Sequence, residues 1–125
     1  GGTEACDWAA MLLRMYTRFA ERQGFVASVV ESSPGEETGY KSVTLDVQGE
    51  HAYGYCAAER GAHRLVRLSP FNAQAKRMTT FAGVEVVPVL EEEEPRLQDV
   101  EIPDADLEVT FMRSGGAGGQ NVNKV

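Results

Sequence analysis

Near the start of the chain, apolar residues recur every three to four positions. Trp8, Leu12, Met15 and Phe19 follow one another at helical spacing, with Ala5, Ala9, Tyr16 and Ala20 beside them. This pattern predicts an amphipathic helix over residues 3–23 with that stripe turned to the core. Thr3 is placed to cap it, Glu4 and Asp7 suit the positive end of the helix dipole, and Gly24 is a natural stop. The period then changes to two. Residues 25–31 are rich in β-branched side chains, and Val43, Leu45 and Val47 alternate with Ser42, Thr44 and Asp46. Ala52–Ala57 reads as a third, short strand with Gly54 at a bulge or under a close neighbour, and residues 79–89 as a fourth. Pro88 belongs at a strand end or edge because it cannot donate to a ladder. Ser32-Ser33-Pro34-Gly35 and Gln48-Gly49-Glu50 supply turns. The sum is an α+β fold, one long N-terminal helix packed on a mostly antiparallel sheet.

Beyond this unit the pattern breaks. Glu91-Glu92-Glu93-Glu94-Pro95-Arg96 combines mutually repelling charges with a helix-disfavouring proline and reads as a solvated linker. Leu107, Val109 and Phe111 alternate again, as the opening strand of a second unit. The expected organisation is a first domain over residues 1–90, an acidic linker over 91–99 and the start of a second, truncated domain over 100–125. With 125 residues, the chain is expected to be a piece of a longer protein.

Composition narrows the classes without choosing among them. Apolar residues at 42% and charged ones at 25% are ordinary for a globular domain, and no apolar run approaches a membrane span. Cys6 and Cys56 have no metal-ligand spacing and read as a reduced pair. No arrangement of residues suggests a metal site or a cofactor. The net charge of −7 argues against general nucleic-acid binding, but its distribution is uneven. Between Glu59 and Leu90, Arg60, Arg64, Arg67, Lys76 and Arg77 stand against Glu59 and Glu85, a local charge of +3. Arg64, Arg67 and Arg77 are the candidate phosphate contacts of an RNA-facing segment. His51 reads as a turn residue and His63 as a structural loop residue.

The final stretch carries the candidate chemistry. In Gly115-Gly116-Ala117-Gly118-Gly119, four of five residues are glycine, and Gln120, Asn121, Asn123 and Lys124 add amides and a cation. Glycine allows positive φ and close approach of another molecule to the backbone. No Gly-Lys-Ser/Thr ends the run, which excludes a P-loop. No Ser/His/Asp set or carboxylate pair accompanies the loop, so any catalysis by it has to be positional and electrostatic.

Arg113-Ser114-Gly115-Gly116-Ala117-Gly118-Gly119-Gln120-Asn121-Val122-Asn123 resembles the Gly-Gly-Gln loop of bacterial-type peptide chain release factors. A second segment agrees. His63-Arg64-Leu65-Val66-Arg67-Leu68-Ser69-Pro70-Phe71, followed by Arg77-Met78-Thr79-Thr80-Phe81, resembles the stretch of the release factor 2 branch that ends in the Ser-Pro-Phe codon-reading tripeptide. Gly1-Gly2-Thr3-Glu4-Ala5 with Trp8 and Arg14-Met15-Tyr16 is similar to the first helix of that family's codon-recognition domain. The resemblance runs along essentially the whole chain.

The resemblance implies translation termination at UAA or UGA in the ribosomal A site, with the ribosome, the mRNA stop codon and peptidyl-tRNA as partners. It implies that Gly2 and Glu4 lie against the first codon base. Ser69, Pro70 and Phe71 read the second, and Thr79 contacts the third. The chemistry is reasonable: a serine hydroxyl both donates and accepts, proline stiffens a loop tip, and phenylalanine offers a face to an unpaired base. Met78 departs from the family, which usually has histidine there. Methionine packs against a base but donates no hydrogen bond. In the peptidyl-transferase centre, Gly118 and Gly119 would aim the Gln120 backbone N–H at developing charge, and the Gln120 side chain would select water. Family members are methylated on this glutamine by a glutamine methyltransferase. The Gly-Gly-Gln-Asn-Val-Asn-Lys-Val ending is closer to cyanobacterial and plastid members than to the usual bacterial His-Val-Asn form. That points to the plastid stroma if the chain is organellar, and to the cytoplasm if it is bacterial. Two other classes stay open: a codon-independent ribosome-rescue hydrolase, and a release-factor-derived RNA-binding regulator without termination activity.

Overall fold

The computed structural model describes residues 2–89 and 107–113. In chain order the elements are α1 (Gly2–Gln23), β1 (Val26–Pro34), β2 (Tyr40–Gln48), α2 (Ala52–Ala57), β3 (Gly61–Leu68), β4 (Arg77–Pro88) and β5 (Leu107–Arg113). The five strands form one sheet in the order β1-β2-β5-β4-β3, and every neighbouring pair is antiparallel. The helix-on-antiparallel-sheet class expected from the pattern is the one observed.

The core lies between α1 and the central strands. Strand alternation sends Val43, Leu45 and Val47 of β2, Ala82, Val84 and Val86 of β4, and Val109 and Phe111 of β5 to one face. Ala9, Leu12, Tyr16 and Ala20 of α1 meet them. The alanines let the helix axis approach the sheet, while Tyr16 stacks on Phe111 with ring centroids 5.1 Å apart. The Tyr16 hydroxyl donates to Glu59 at 2.5 Å, and burial is the larger reason its pKa is driven up. Trp8 Nε1 donates to the His63 carbonyl at 2.9 Å, fastening the start of α1 to β3.

Several expectations are corrected. Met15 lies outside the core stripe and is 47% exposed. Thr3 does not cap α1. It sits inside the helix, and its hydroxyl donates to Glu37. Ala52–Ala57 is a helix rather than a strand. His51 takes a left-handed conformation (φ 65) that turns the chain, after which Ala52 and Cys56, one helical turn apart, are the buried pair. Gly54 meets nothing there, so it marks neither a bulge nor a close neighbour. The segment around His63, expected as a structural loop residue, is an edge strand, β3. His63 belongs to it, with Nε2 2.7 Å from the Glu59 carbonyl oxygen.

The largest difference concerns residues 107–112, expected to open a second domain. β5 lies in the middle of the same sheet, with Val109 and Phe111 buried in its core. Its alternation fits a central strand equally well, and sequence order hides that it inserts between β2 and β4. The acidic linker and the Gly-Gly-Gln loop lie outside the described residues. Pro88 stands at the end of β4, as expected.

Candidate functional site

Three separate parts of the chain converge at the N-terminal end of α1. The β3–β4 loop is built to hold a shape. The Ser69 N–H donates to the Lys76 carbonyl at 2.9 Å, closing the loop at its base. Within it, Asn72 Oδ1 accepts from the Gln74 N–H, the Asn72 carbonyl accepts from the Ala75 N–H, and Ala75 turns at φ 51. The β1–β2 loop reaches the same place because Gly39, at φ +65, lies directly on the backbone of Cys6. A Cβ at Gly39 would fall 1.9 Å from the Cys6 carbonyl oxygen.

Between these parts is a cleft of about 260 Å³ lined by Gly2, Thr3, Glu4, Glu37, Ser69, Phe71, Asn72 and Met78. Pockets for small molecules are usually larger, about 300–1,000 Å³. This cleft suits the edge of a flat ring better than an enclosed ligand.

The cleft wall is held by charge. Arg67 Nε donates to Glu4 Oε2 at 2.7 Å, and Arg67 Nη2 donates to Asp7 Oδ2 at 2.8 Å. The Ser69 hydroxyl donates to Glu4 Oε1 at 2.8 Å and accepts from the Phe71 N–H at 3.1 Å. The hydrogen bond from Arg67, opposed by burial and aided by the one from Ser69, lowers the Glu4 pKa below its ordinary 4.5. The same bond raises the Arg67 pKa. The Arg67 guanidinium also lies 5.8 Å from the centre of the Phe71 ring, which is 46% exposed. Phe71 therefore presents a supported aromatic face.

These contacts fix what each group can offer. Glu4 is 3% exposed and both its oxygens are engaged, so it positions Ser69. Ser69 has spent its proton on Glu4 and one lone pair on Phe71, leaving an acceptor for the cleft. Met78 adds an apolar wall beside Asn72, whose amide nitrogen is 4.0 Å from its sulfur.

Of the residues singled out in the sequence, the structure brings Gly2, Glu4, Ser69, Phe71 and Met78 together. Pro70 is exposed at the loop tip without lining the cleft. Thr79 is exposed and pairs with Val66 on the sheet face turned away from α1, and Arg64 and Arg77 share that face. Arg67 is not a free phosphate contact, because two carboxylates hold it. Gly118, Gly119 and Gln120 lie outside the described residues. Thr3, Asp7, Glu37 and Asn72 were missed. Asn72 follows Ser-Pro-Phe directly and was legible as a turn residue, whereas nothing local joins Glu37 to this place. Among the described residues no group of His, Cys, Asp and Glu gathers to hold a metal, and no helix is long and apolar enough to cross a membrane.

Comparison with known proteins bears on the family and the fold. The PCRF domain model matches residues 1–84. The chain is 57% identical over 125 residues to "Peptide chain release factor PrfB1, chloroplastic" of Arabidopsis thaliana, covering all of this chain and 27% of that protein. It is 56% identical over 124 residues to peptide chain release factor 2 of Clostridium perfringens, covering 99% of this chain and 33% of that protein. RF2 of Thermus thermophilus superposes with a TM-score of 0.63 at 36% identity, covering 99% of this chain and 43% of that one. The chain thus spans about a third or less of the curated relatives it matches. With a family model over most of its length and relatives more than half identical from end to end, the chain belongs to the PCRF-domain family of peptide chain release factors, and its relatives include release factor 2 proteins.

Proposed function

We propose that this chain is the stop-codon-reading part of a translation termination factor, and that the cleft reads UAA and UGA in the ribosomal A site. The observation that carries the reading is the convergence of Gly2, Glu4, Ser69, Phe71 and Met78 in one cleft. The first base lies against the start of α1 at Gly2 and Glu4. Ser69 reads the second base as an acceptor held by Glu4. Adenine offers an amino donor and guanine offers donors of its own, so an acceptor serves both purines. Phe71 supplies the face on which an unpaired base packs, and Pro70 stiffens the tip behind it. Thr79 serves the third base from the opposite face of β4, next in the chain to Met78. Arg64 and Arg77 stand ready for phosphates.

The second half of the reaction belongs to Gly118, Gly119 and Gln120. In the peptidyl-transferase centre the Gln120 backbone N–H would stabilise charge on the peptidyl-tRNA ester as water attacks, and the side chain would exclude larger nucleophiles. Methylation of Gln120 by a glutamine methyltransferase belongs to the same reading. The relatives support a bacterial cytoplasm or a plastid stroma as the compartment.

The test is peptide release by the full-length factor on ribosomes programmed with UAA, UGA, UAG or UGG. Release on UAA and UGA alone is expected. Release independent of the codon would favour a rescue hydrolase. Met78 favours one further reading: its thioether gives the cleft no hydrogen-bond donor, and a regulator that binds RNA without terminating does not need one. Absence of release on every codon, with RNA binding retained, would establish that reading instead.

A further inference from the structure

The outward face of α1 lies outside the codon cleft, touching its wall only where Met11 Sδ meets Arg67 Nη1 at 3.7 Å, and it is chemically distinctive. Arg14, Arg18 and Arg22 are exposed and follow one another every four residues. Among the described residues none of them makes an ion pair or a hydrogen bond. In a chain of net charge −7, unpartnered arginines in a row need a reason. They line, with Met11 and Met15, a groove of about 300 Å³. A four-residue step along a helix advances about 6 Å, a spacing that keeps pace with successive phosphates of one RNA strand.

A second groove of about 330 Å³ adjoins it, sharing Met15 and Arg22 and lined further by Phe19 and Tyr55. Tyr55 is 55% exposed, and its ring is propped edge-on against Phe19 at 6.0 Å and tilted against Phe25 at 6.0 Å. A rigid exposed ring beside a basic row is the pairing that single-stranded RNA uses, phosphates on cations and a base on the aromatic face. The nearby carboxylates do not cancel the row. Glu21 and Glu59 are two charges against three, and the Tyr16 hydroxyl holds Glu59 at the inner wall of the groove.

We propose that this face is a second RNA-binding surface, with Arg14, Arg18 and Arg22 on the phosphates of one strand and Tyr55 stacked on an unpaired base. It lies about 15–27 Å along α1 from Glu4, so it engages RNA other than the codon. It goes beyond the codon reading and does not depend on it.

The probe is a labelled 12-nucleotide oligouridylate, its binding to the chain followed by fluorescence anisotropy across a salt series. Replacing the row together (R14Q/R18Q/R22Q) is expected to reduce the slope of log affinity against log salt by about 2, at ~0.7 per lost phosphate contact. Tyr55→Ala is expected to weaken binding about tenfold with the slope unchanged. Among the described residues the arginines have no partners to lose, so the triple variant should melt with the wild type, and a melting comparison checks this. A slope unchanged in the triple variant, or a Tyr55→Ala protein that binds as wild type, overturns the proposal. No measurable binding at low salt does the same, and would leave the face to a protein partner. Ser69→Ala separates the two readings, because it should leave oligouridylate binding on this face intact whatever it does to release.

Discussion

Replacing Arg67 by methionine removes the guanidinium that holds the cleft wall while keeping most of the apolar stem. Two ion pairs are lost, and they differ in weight. Asp7 and Arg67 are about a quarter exposed, so that pair is worth ~0.2–1 kcal/mol. Glu4 is 3% exposed, and without Arg67 its carboxylate keeps only the Ser69 hydroxyl. Leaving a buried charge without its partner costs about 3–5 kcal/mol, so the Glu4 contact sets the total. The pH dependence has a definite sign. Glu4 titrates below its ordinary 4.5 in the folded protein, so its contribution is complete above that value and disappears as pH falls through the lowered one. In Arg67→Met the lowering partner is gone, burial raises the Glu4 pKa, and the carboxyl can take up a proton. The gap between variant and wild type should therefore be widest near neutrality and close as pH drops below 4.5. Urea denaturation at pH 7 and pH 4 measures both effects. Glu4→Gln combined with Arg67→Met should restore much of the loss, since no buried charge remains. A loss under about 1 kcal/mol, or one that does not narrow in acid, would show that the pair behaves as a surface salt bridge and does not organise the cleft.

Gly39→Ala should destabilise the fold by more than ~1 kcal/mol, because positive φ and the Cys6 backbone both oppose a Cβ; thermal melting reports it. Ser69→Ala should slow release on UAA and UGA alike by about 1–3 kcal/mol, read as single-turnover rates, and equal rates for variant and wild type would remove Ser69 from the reading site. In the full-length factor Gln120→Ala should reduce hydrolysis only modestly and relax the choice of nucleophile, while Gly119→Ala should be far more damaging. Release rates with water and with hydroxylamine separate the two.

The amphipathic helix and the alternating strands were legible because each is a local pattern with one buried face. Residues 52–57 misled because Tyr53 and Tyr55 favour a strand, and only the left-handed turn at His51 sends the chain into a helix. β5 misled for a different reason: which strands it joins is a long-range choice that no window of sequence contains. At the cleft, the Ser-Pro-Phe and Gly-Thr-Glu motifs identified Ser69, Phe71 and Glu4. The role of Arg67 was misjudged because Glu4 and Asp7 lie about sixty residues away from it in the chain. An arginine among basic neighbours reads as a phosphate contact until its carboxylates are seen.

The central claim is that one cleft, made by the start of α1 and the β3–β4 loop, meets the stop codon. Photocrosslinking tests it most directly, with 4-thiouridine as the first base of a UGA codon on ribosomes bound by the full-length factor. The account predicts adducts in the peptides holding Gly2–Glu4 and Ser69–Met78, at a yield that collapses when UGG replaces UGA. Adducts confined to other segments, or an equal yield with UGG, would contradict it.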